Sequence, residues 1–435
     1  MTSPDSDVAG RRRHLLITLG CLELMLLVAL AVWGREAFPG AGLALFGAAF
    51  VTYVAAAGIA GRGADQRHVW MFAIVMRVLL LPLMPELSDD VYRYLWDGHV
   101  QISGTNPYLH APVDETLATL RTPYHPLINN PTVPTIYPPL AQVAFFLIAV
   151  AGGSLIAAKL LWLGFDLATA VVIGKIARLT GRDPGLALLL YLWSPLLIVE
   201  VAWSGHLETL GLFGLTVAIL SVRKPFGAGV ALAASALTKF APAAALPAIA
   251  RRHGWKAVAA FGVTFVLLYL PYASAGTALF TGLTTYGEHW WFMKGPFVVL
   301  EAAFSDPLTA RRAAAAVVVL VVAWVTFKRY DTERALLWIL GSGMIVTPTL
   351  HPWYVLWTLP MAALRASRPW ILLSGLAFLG YYGLAAYHES GDWVQPAAVR
   401  AALWLPFLLA LAYDGVRLVS ESKPGVSAQE EDDEG

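Results

Sequence analysis

One cysteine, Cys21, among 435 residues leaves no internal disulfide framework and no cysteine-based metal cluster to consider. Charge is also scarce: Asp, Glu, Lys and Arg make up 14% of the chain and nearly cancel, at +1. The basic residues fall in short loop clusters instead of one continuous patch, so nothing argues for a nucleic-acid partner. There is no HExxH motif, no paired-histidine spacing and no tandem repeat. What the chain has in abundance is apolar surface. Hydrophobic residues reach 58% and the mean hydropathy is +0.63, so most of the length must be solvated by lipid. The expectation is an all-α, polytopic transmembrane helical bundle of about 12 to 14 membrane segments.

The few basic residues report orientation. RRRH at 11–14 precedes the first apolar run and no small-residue cleavage pattern follows it, which predicts a retained signal-anchor helix after a cytoplasmic tail, 1–14. Runs at 15–33, 41–60 and 69–85 read as three spans, with Arg62 and Arg67 in an inner loop. The third span then delivers Asp89 and Asp90 to the outer face. The run 139–151, after Pro138 and Pro139, is short and reads as an interfacial helix. Residues 155–177 return inward to Lys175, Arg178 and Arg182, and 184–203 with 207–222 form an outward hairpin whose tip is WSGHLE. The stretch 226–250 is broken by LTKFAP and reads as two half-length helices meeting at Lys239, the kind of break that lines a cavity. Spans near 255–274, 311–327, 334–349, 353–364, 369–387 and 396–416 follow. They return the acidic, disordered tail 417–435 to the cytoplasm. The membrane domain is thus 15–416, with an outer loop at 86–154.

That loop holds the densest polar and aromatic cluster in the chain. Its first part reads SDDVYRYLWDGHVQISGTNPY. On a helix Asp90, Tyr94 and Asp97 share one face and Asp89, Arg93 and Trp96 the next. Ser88 capping a helix that opens with carboxylates is the simpler reading of the pair. Six further polar or aromatic residues within ten positions favour a general base beside an arginine able to hold a phosphate. Asn129, Asn130 and Tyr137 read first as turn and cap residues of an ordered loop, with side chains able to bind sugar hydroxyls. His206 and Glu208 lie at the second tip, and His289, between Glu288 and Trp290, at a third. Lys239 is costly inside an apolar segment and has no acidic neighbour between 209 and 287, which predicts a distant partner or a phosphate ligand. His351, in HPWY, interrupts another apolar run on the same side. Metal ligation by His206, His289 and His351 is conceivable, but no spacing supports it and no metal is assigned.

Taken in order, SDDVYRYLWDG, GTNPY, PTIYPPLAQ, SGHLE, LTKFAP and HPWY resemble the GT-C superfamily of membrane glycosyltransferases. The closer resemblance is to bacterial polyprenyl-phosphate-mannose-dependent alpha-mannosyltransferases. Three spans precede the acidic loop, where one is commonest in the superfamily. The resemblance implies an enzyme of the bacterial inner membrane with an outward active site and no nucleotide sugar, and no cofactor is assigned because the lipid-linked sugar is itself the donor substrate. It implies inverting transfer of a hexose, mannose first, from a polyprenyl-phosphate donor to a glycolipid or envelope glycan acceptor. The catalytic base then maps onto Asp90 or Asp89, and Arg93, Tyr94, Tyr137, His206, Glu208, Lys239, His289 and His351 are the expected substrate-binding set. The rival reading is a transporter or flippase of lipid-linked sugars, which would use broken helices and intramembrane charge. The absence of inverted repeats, and the gathering of polar residues on one face, argue against it.

Overall fold

A computed structural model describes residues 4–60, 63–221, 223–328 and 330–421. Among them the chain is helical, and the only β contact is an isolated bridge between Phe292 and Thr349. The sequence-based expectation of an all-α polytopic bundle holds. Seven helices are long and apolar enough to cross a membrane, or eight if one bent pair counts as a span. This is fewer than the 12 to 14 segments expected, because several apolar runs fold as short or broken helices.

The first helix, α1 (Pro4–Trp33), packs against α2 (Gly40–Ala60). Residues 4–14, expected as a tail, belong to α1. Next come α3 (Gln66–Leu80), α4 (Asp90–Ile102), α5 (Pro139–Val150) and α6 (Leu155–Leu179). After them α7 (Pro184–Leu192) and α8 (Pro195–Ile198), continued by the turn Val199–Trp203, bend by 50° into the expected hairpin. Its second arm is α9 (Glu208–Leu220). The stretch broken by LTKFAP is two short helices, α10 (Pro225–Ala236) and α11 (Leu246–His253). Then follow α12 (Trp255–Tyr269), α13 (Thr281–His289), α14 (Phe297–Ala303), α15 (Pro307–Lys328) and α16 (Thr332–Val346). The series closes with α17 (Leu359–Arg365), α18 (Arg368–Leu376), α19 (Leu384–Ser390) and α20 (Ala397–Glu421). The helix α20 takes in the start of the expected tail, whose residues 422–435 lie outside the described residues, as does Arg62.

Local chemistry fixes where the chain turns. Aspartates cap α3, α7 and α16: Asp65 accepts from Arg67 N, Asp183 from Gly185 N and Leu186 N, and Asp331 from Arg334 N. Each satisfies amides that a helix start leaves without partners. These caps share one end of the bundle, because Arg182 reaches Glu333 at 2.9 Å and Arg365 reaches Asp331 at 3.0 Å. The polar loops carrying Asp90, His206, Lys239 and His351 lie at the other end, a helix length away.

Two cations within spans find protein partners. Arg77 on α3 pairs with Asp166 on α6 and donates to the carbonyl of Leu192. Lys159 donates to the carbonyls of Leu81 (3.3 Å) and Leu83, so an ammonium on α6 holds the segment leaving α3. That segment runs directly into Asp89 and Asp90, and its path is set from inside the bundle.

Candidate active site

Helix α4 opens at Asp90 with Asp89 at its N-cap position, and the Asp90 amide donates to Ser88 Oγ at 3.3 Å. Asp89 makes no side-chain cap bond. The helix lies close against α5 because residue 98 is glycine: a Cβ there would meet the carbonyl oxygen of Phe145 at 2.2 Å. The loop then returns over α4. Arg93 donates to Asp97 (2.8 Å) and to the carbonyl of Val133 (2.9 Å), while Gln142 on α5 donates to Asp97 and to Thr135. This network, rather than a free arginine, is what Arg93 provides. Two of its guanidinium nitrogens are engaged in holding residues 133–135 beside the carboxylates, although its side chain also lines the cavity.

The cavity so formed is about 280 Å³ and is lined by Asp89, Asp90, Arg93, Asn129, Tyr137 and Lys239, with an aromatic wall that includes Trp353, Tyr354 and Trp393. Asn129 donates to Asp90 Oδ1 at 2.8 Å. The Asp90 carboxylate is 19% exposed. Burial raises its pKa above the ordinary carboxylate value, and the Lys239 ammonium, then hydrogen bonds from Asn129 and Tyr137, then Arg93, oppose the rise.

His206 follows Gly205, whose φ of +77° turns the chain from the bent hairpin toward α9. A residue with a side chain resists that conformation. The imidazole stacks on Trp353 at 4.1 Å, with Nδ1 3.8 Å from Asp90 and Nε2 3.4 Å from Glu200. His351 lies between Phe292 (4.3 Å) and Trp353 (4.5 Å). Burial, reinforced by the nearby Lys239 charge, depresses both histidines, His351 to about 3 and His206 well below its ordinary value. Both are therefore neutral near pH 7. They supply hydrogen-bonding groups rather than positive charge.

Lys239 reaches Glu208, its carboxylate partner one helix away, and sits 4.7 Å over the Tyr354 ring, whose hydroxyl is 2.6 Å from that of Tyr286. The sequence argument that Lys239 needs a distant partner is met by a residue one position before the acid-free stretch. Four expected site residues do not line the cavity: His206 and Glu208 are buried just behind it, beside Asp90 and Lys239, and two more stand farther off. Tyr94 is fully buried, stacked on Phe145 at 4.8 Å behind Tyr137, and does not line the cavity. His289 is exposed at the end of α13 and bonds back to the carbonyl of Thr285, while its neighbours Trp290 and Trp291 face the cavity. Sequence reasoning missed Glu200, which accepts from Tyr381 at 2.8 Å behind His206. A lone acid within the apolar run LLIVEVAW was the signal for it. For Tyr381 and Tyr286 there was none. Among the described residues no group of three His, Cys, Asp or Glu side chains is placed to hold a metal ion.

Against the polar cavity lies an apolar groove of about 400 Å³, lined by Leu283, Val318, Ile339, Leu340 and Met344 among others. Ile136, Tyr137, Lys239, Tyr286 and Tyr354 line both spaces. Lys239 is thus the charge at the boundary between a wet compartment and a greasy one.

No solved structure matches the chain. Alpha-(1->6)-mannopyranosyltransferase A of Corynebacterium glutamicum is 30% identical over 199 residues, which cover 43% of this chain and 40% of that protein. The chain therefore aligns with about two fifths of that relative's length. The N-terminal domain of the alpha-(1->6)-mannopyranosyltransferase family matches residues 29–254, a stretch that holds Asp89, Asp90, His206, Glu208 and Lys239 and ends before the aromatic wall. With more than half of its length inside that match, the chain belongs to the alpha-(1->6)-mannopyranosyltransferase family.

Proposed function

We propose that this protein is an inverting glycosyltransferase that moves a mannosyl residue from a polyprenyl-phosphate donor to a glycolipid or glycan acceptor at the outer face of a bacterial inner membrane. The observation that carries the proposal is the shared wall: a carboxylate-bearing cavity and an apolar groove meet at Lys239. A prenyl chain lies in the groove among Leu283, Ile339 and Met344. Its phosphate is held at the boundary, where the Lys239 ammonium has donors beyond the one that Glu208 takes. The sugar occupies the cavity against Trp353 and Tyr354.

Asp90 takes the acceptor hydroxyl proton as that oxygen forms its bond to the anomeric carbon, and the carbon–phosphate oxygen bond breaks on the opposite face. The prenyl phosphate leaves with the bonding pair, and Lys239 stabilises the added charge. Neutral His351, which lines the cavity, orients hydroxyls, while His206 sits buried beside Asp90. No metal or other cofactor takes part in this scheme.

Purified protein in vesicles, given polyprenyl-phosphate mannose and a panel of membrane glycolipids, is expected to yield an alpha-linked product from a beta-linked donor. Transfer from a nucleotide sugar alone, or retention of configuration, would overturn the proposal. The pH profile offers a second check. A base works only when ionised, so activity falls as pH drops through the Asp90 pKa, and burial places that limb above the usual carboxylate range. Asn129→Ala removes a hydrogen bond that favours the ionised form, so the acid limb of kcat/KM is expected to move upward. An unmoved or lowered limb would count against Asp90 as the base.

A further inference from the structure

At the end of the bundle opposite Asp90, helices α11, α15 and α16 enclose a separate cavity of about 340 Å³. Along α16 it lies about one turn from the apolar groove, since Leu336 lines this cavity and Ile339 and Leu340 line the groove. Most of its lining is apolar, including Ile249, Val325 and Leu336, with Arg251 and Arg252 exposed at its mouth. Deeper in stands Thr332, which is 6% exposed and whose hydroxyl has no hydrogen-bond partner.

The surrounding charges do not account for the two arginines. Asp331 is taken by Arg365 and Glu333 by Arg182. Among the described residues neither Arg251 nor Arg252 meets a carboxylate, and Arg251 rests over the Phe327 ring at 5.4 Å. Two guanidiniums without counter-charge and a buried hydroxyl without a partner call for an anion with several acceptor oxygens, which is the geometry of a phosphate. A soluble phosphate compound would not need the apolar lining. Trp255 (74% exposed) and Phe327 (72% exposed) stand nearby, the placement of aromatics at the level of lipid head groups.

We propose that this cavity binds the phosphate of an anionic phospholipid from the leaflet facing the basic loops, with Arg251 and Arg252 on the phosphate oxygens, Thr332 donating from below and the upper acyl chain against Ile249 and Leu336. Such a lipid would brace the junction of α11 and α16, the two helices that lead from this end to Lys239 and to His351.

The test is lipid retention by the full-length protein, taken from bilayers of phosphatidylcholine and phosphatidylglycerol and read by native mass spectrometry. Arg251→Gln with Arg252→Gln is expected to lower phosphatidylglycerol retention by roughly thirtyfold, given the attraction of each basic side chain for an anionic surface. Thr332→Val is expected to lower it by about tenfold, and Arg121→Gln, in the loop at the other end, to leave it unchanged. If the double variant does not fold, Thr332→Val decides alone. Equal retention by the variants and the wild type would overturn the proposal. So would displacement of the lipid by inorganic phosphate at matched concentration, which would identify a soluble phosphate compound as the ligand.

Discussion

Asp90→Asn is expected to slow mannosyl transfer by about a hundredfold to ten-thousandfold, the range typical for removal of a general base, with the yield of folded protein unchanged. The substitution keeps the volume of the side chain and leaves an acceptor oxygen for the 2.8 Å bond from Asn129. It removes the lone pair that takes the proton. Asp89→Asn is expected to have a far smaller effect, because Asp89 stands at the N-cap position while Asp90 is the carboxylate that Asn129 engages and His206 approaches. Single-turnover transfer with the folded fraction measured in parallel distinguishes the two. If both variants run near the wild-type rate, the pair is not the base and the chemistry lies elsewhere.

Lys239→Met should be the most destabilising single change at the site. Glu208 is fully buried, and removing one member of a buried pair leaves an uncompensated charge at a cost of about 3 to 5 kcal/mol. Thermal unfolding in detergent is expected to show a large fall in Tm, and Lys239→Met with Glu208→Gln should recover most of it. The double variant also separates two roles. Stability returns but use of the lipid-phosphate donor stays poor, in donor KM or kcat, because the ammonium at the boundary is still missing. Recovered donor kinetics would mean that Lys239 serves only as counter-charge to Glu208.

The helices were legible because apolar run length and Pro, Asp and Ser punctuation are local signals. The shortness of the helix at 139–151 and the break at LTKFAP correspond to features of the folded chain, whereas the 50° bend within 184–203 was not read from the sequence. Span number was not legible: apolar runs look alike whether they cross a bilayer or fold as the short turns around Pro352–Thr358. The carboxylate pair, His206, Lys239 and His351 stood out as polar residues where polarity is costly; the structure brings Asp89, Asp90, Lys239 and His351 to one cavity and buries His206 just behind it. The charge state of the histidines was hidden, since it depends on burial between Trp353 and Phe292 that no local pattern encodes. Tyr94 and His289 failed for a related reason. Helical spacing gave Tyr94 the right face but not its depth, and a loop tip is no guide to which neighbour turns inward.

The strand-like pairing of Phe292 with Pro348 and Leu350, at 2.9 and 2.7 Å, ties together two segments that both lie beyond residue 254, where the family match ends. The groups proposed for bond making, Asp90 and Lys239, are encoded before that point, and the Trp353 and Tyr354 wall that the sugar would rest against is encoded after it. On the proposed reading, substitutions at Trp353 or Tyr354 would change which sugar is accepted while leaving the two bond-making groups, encoded more than a hundred residues earlier, untouched.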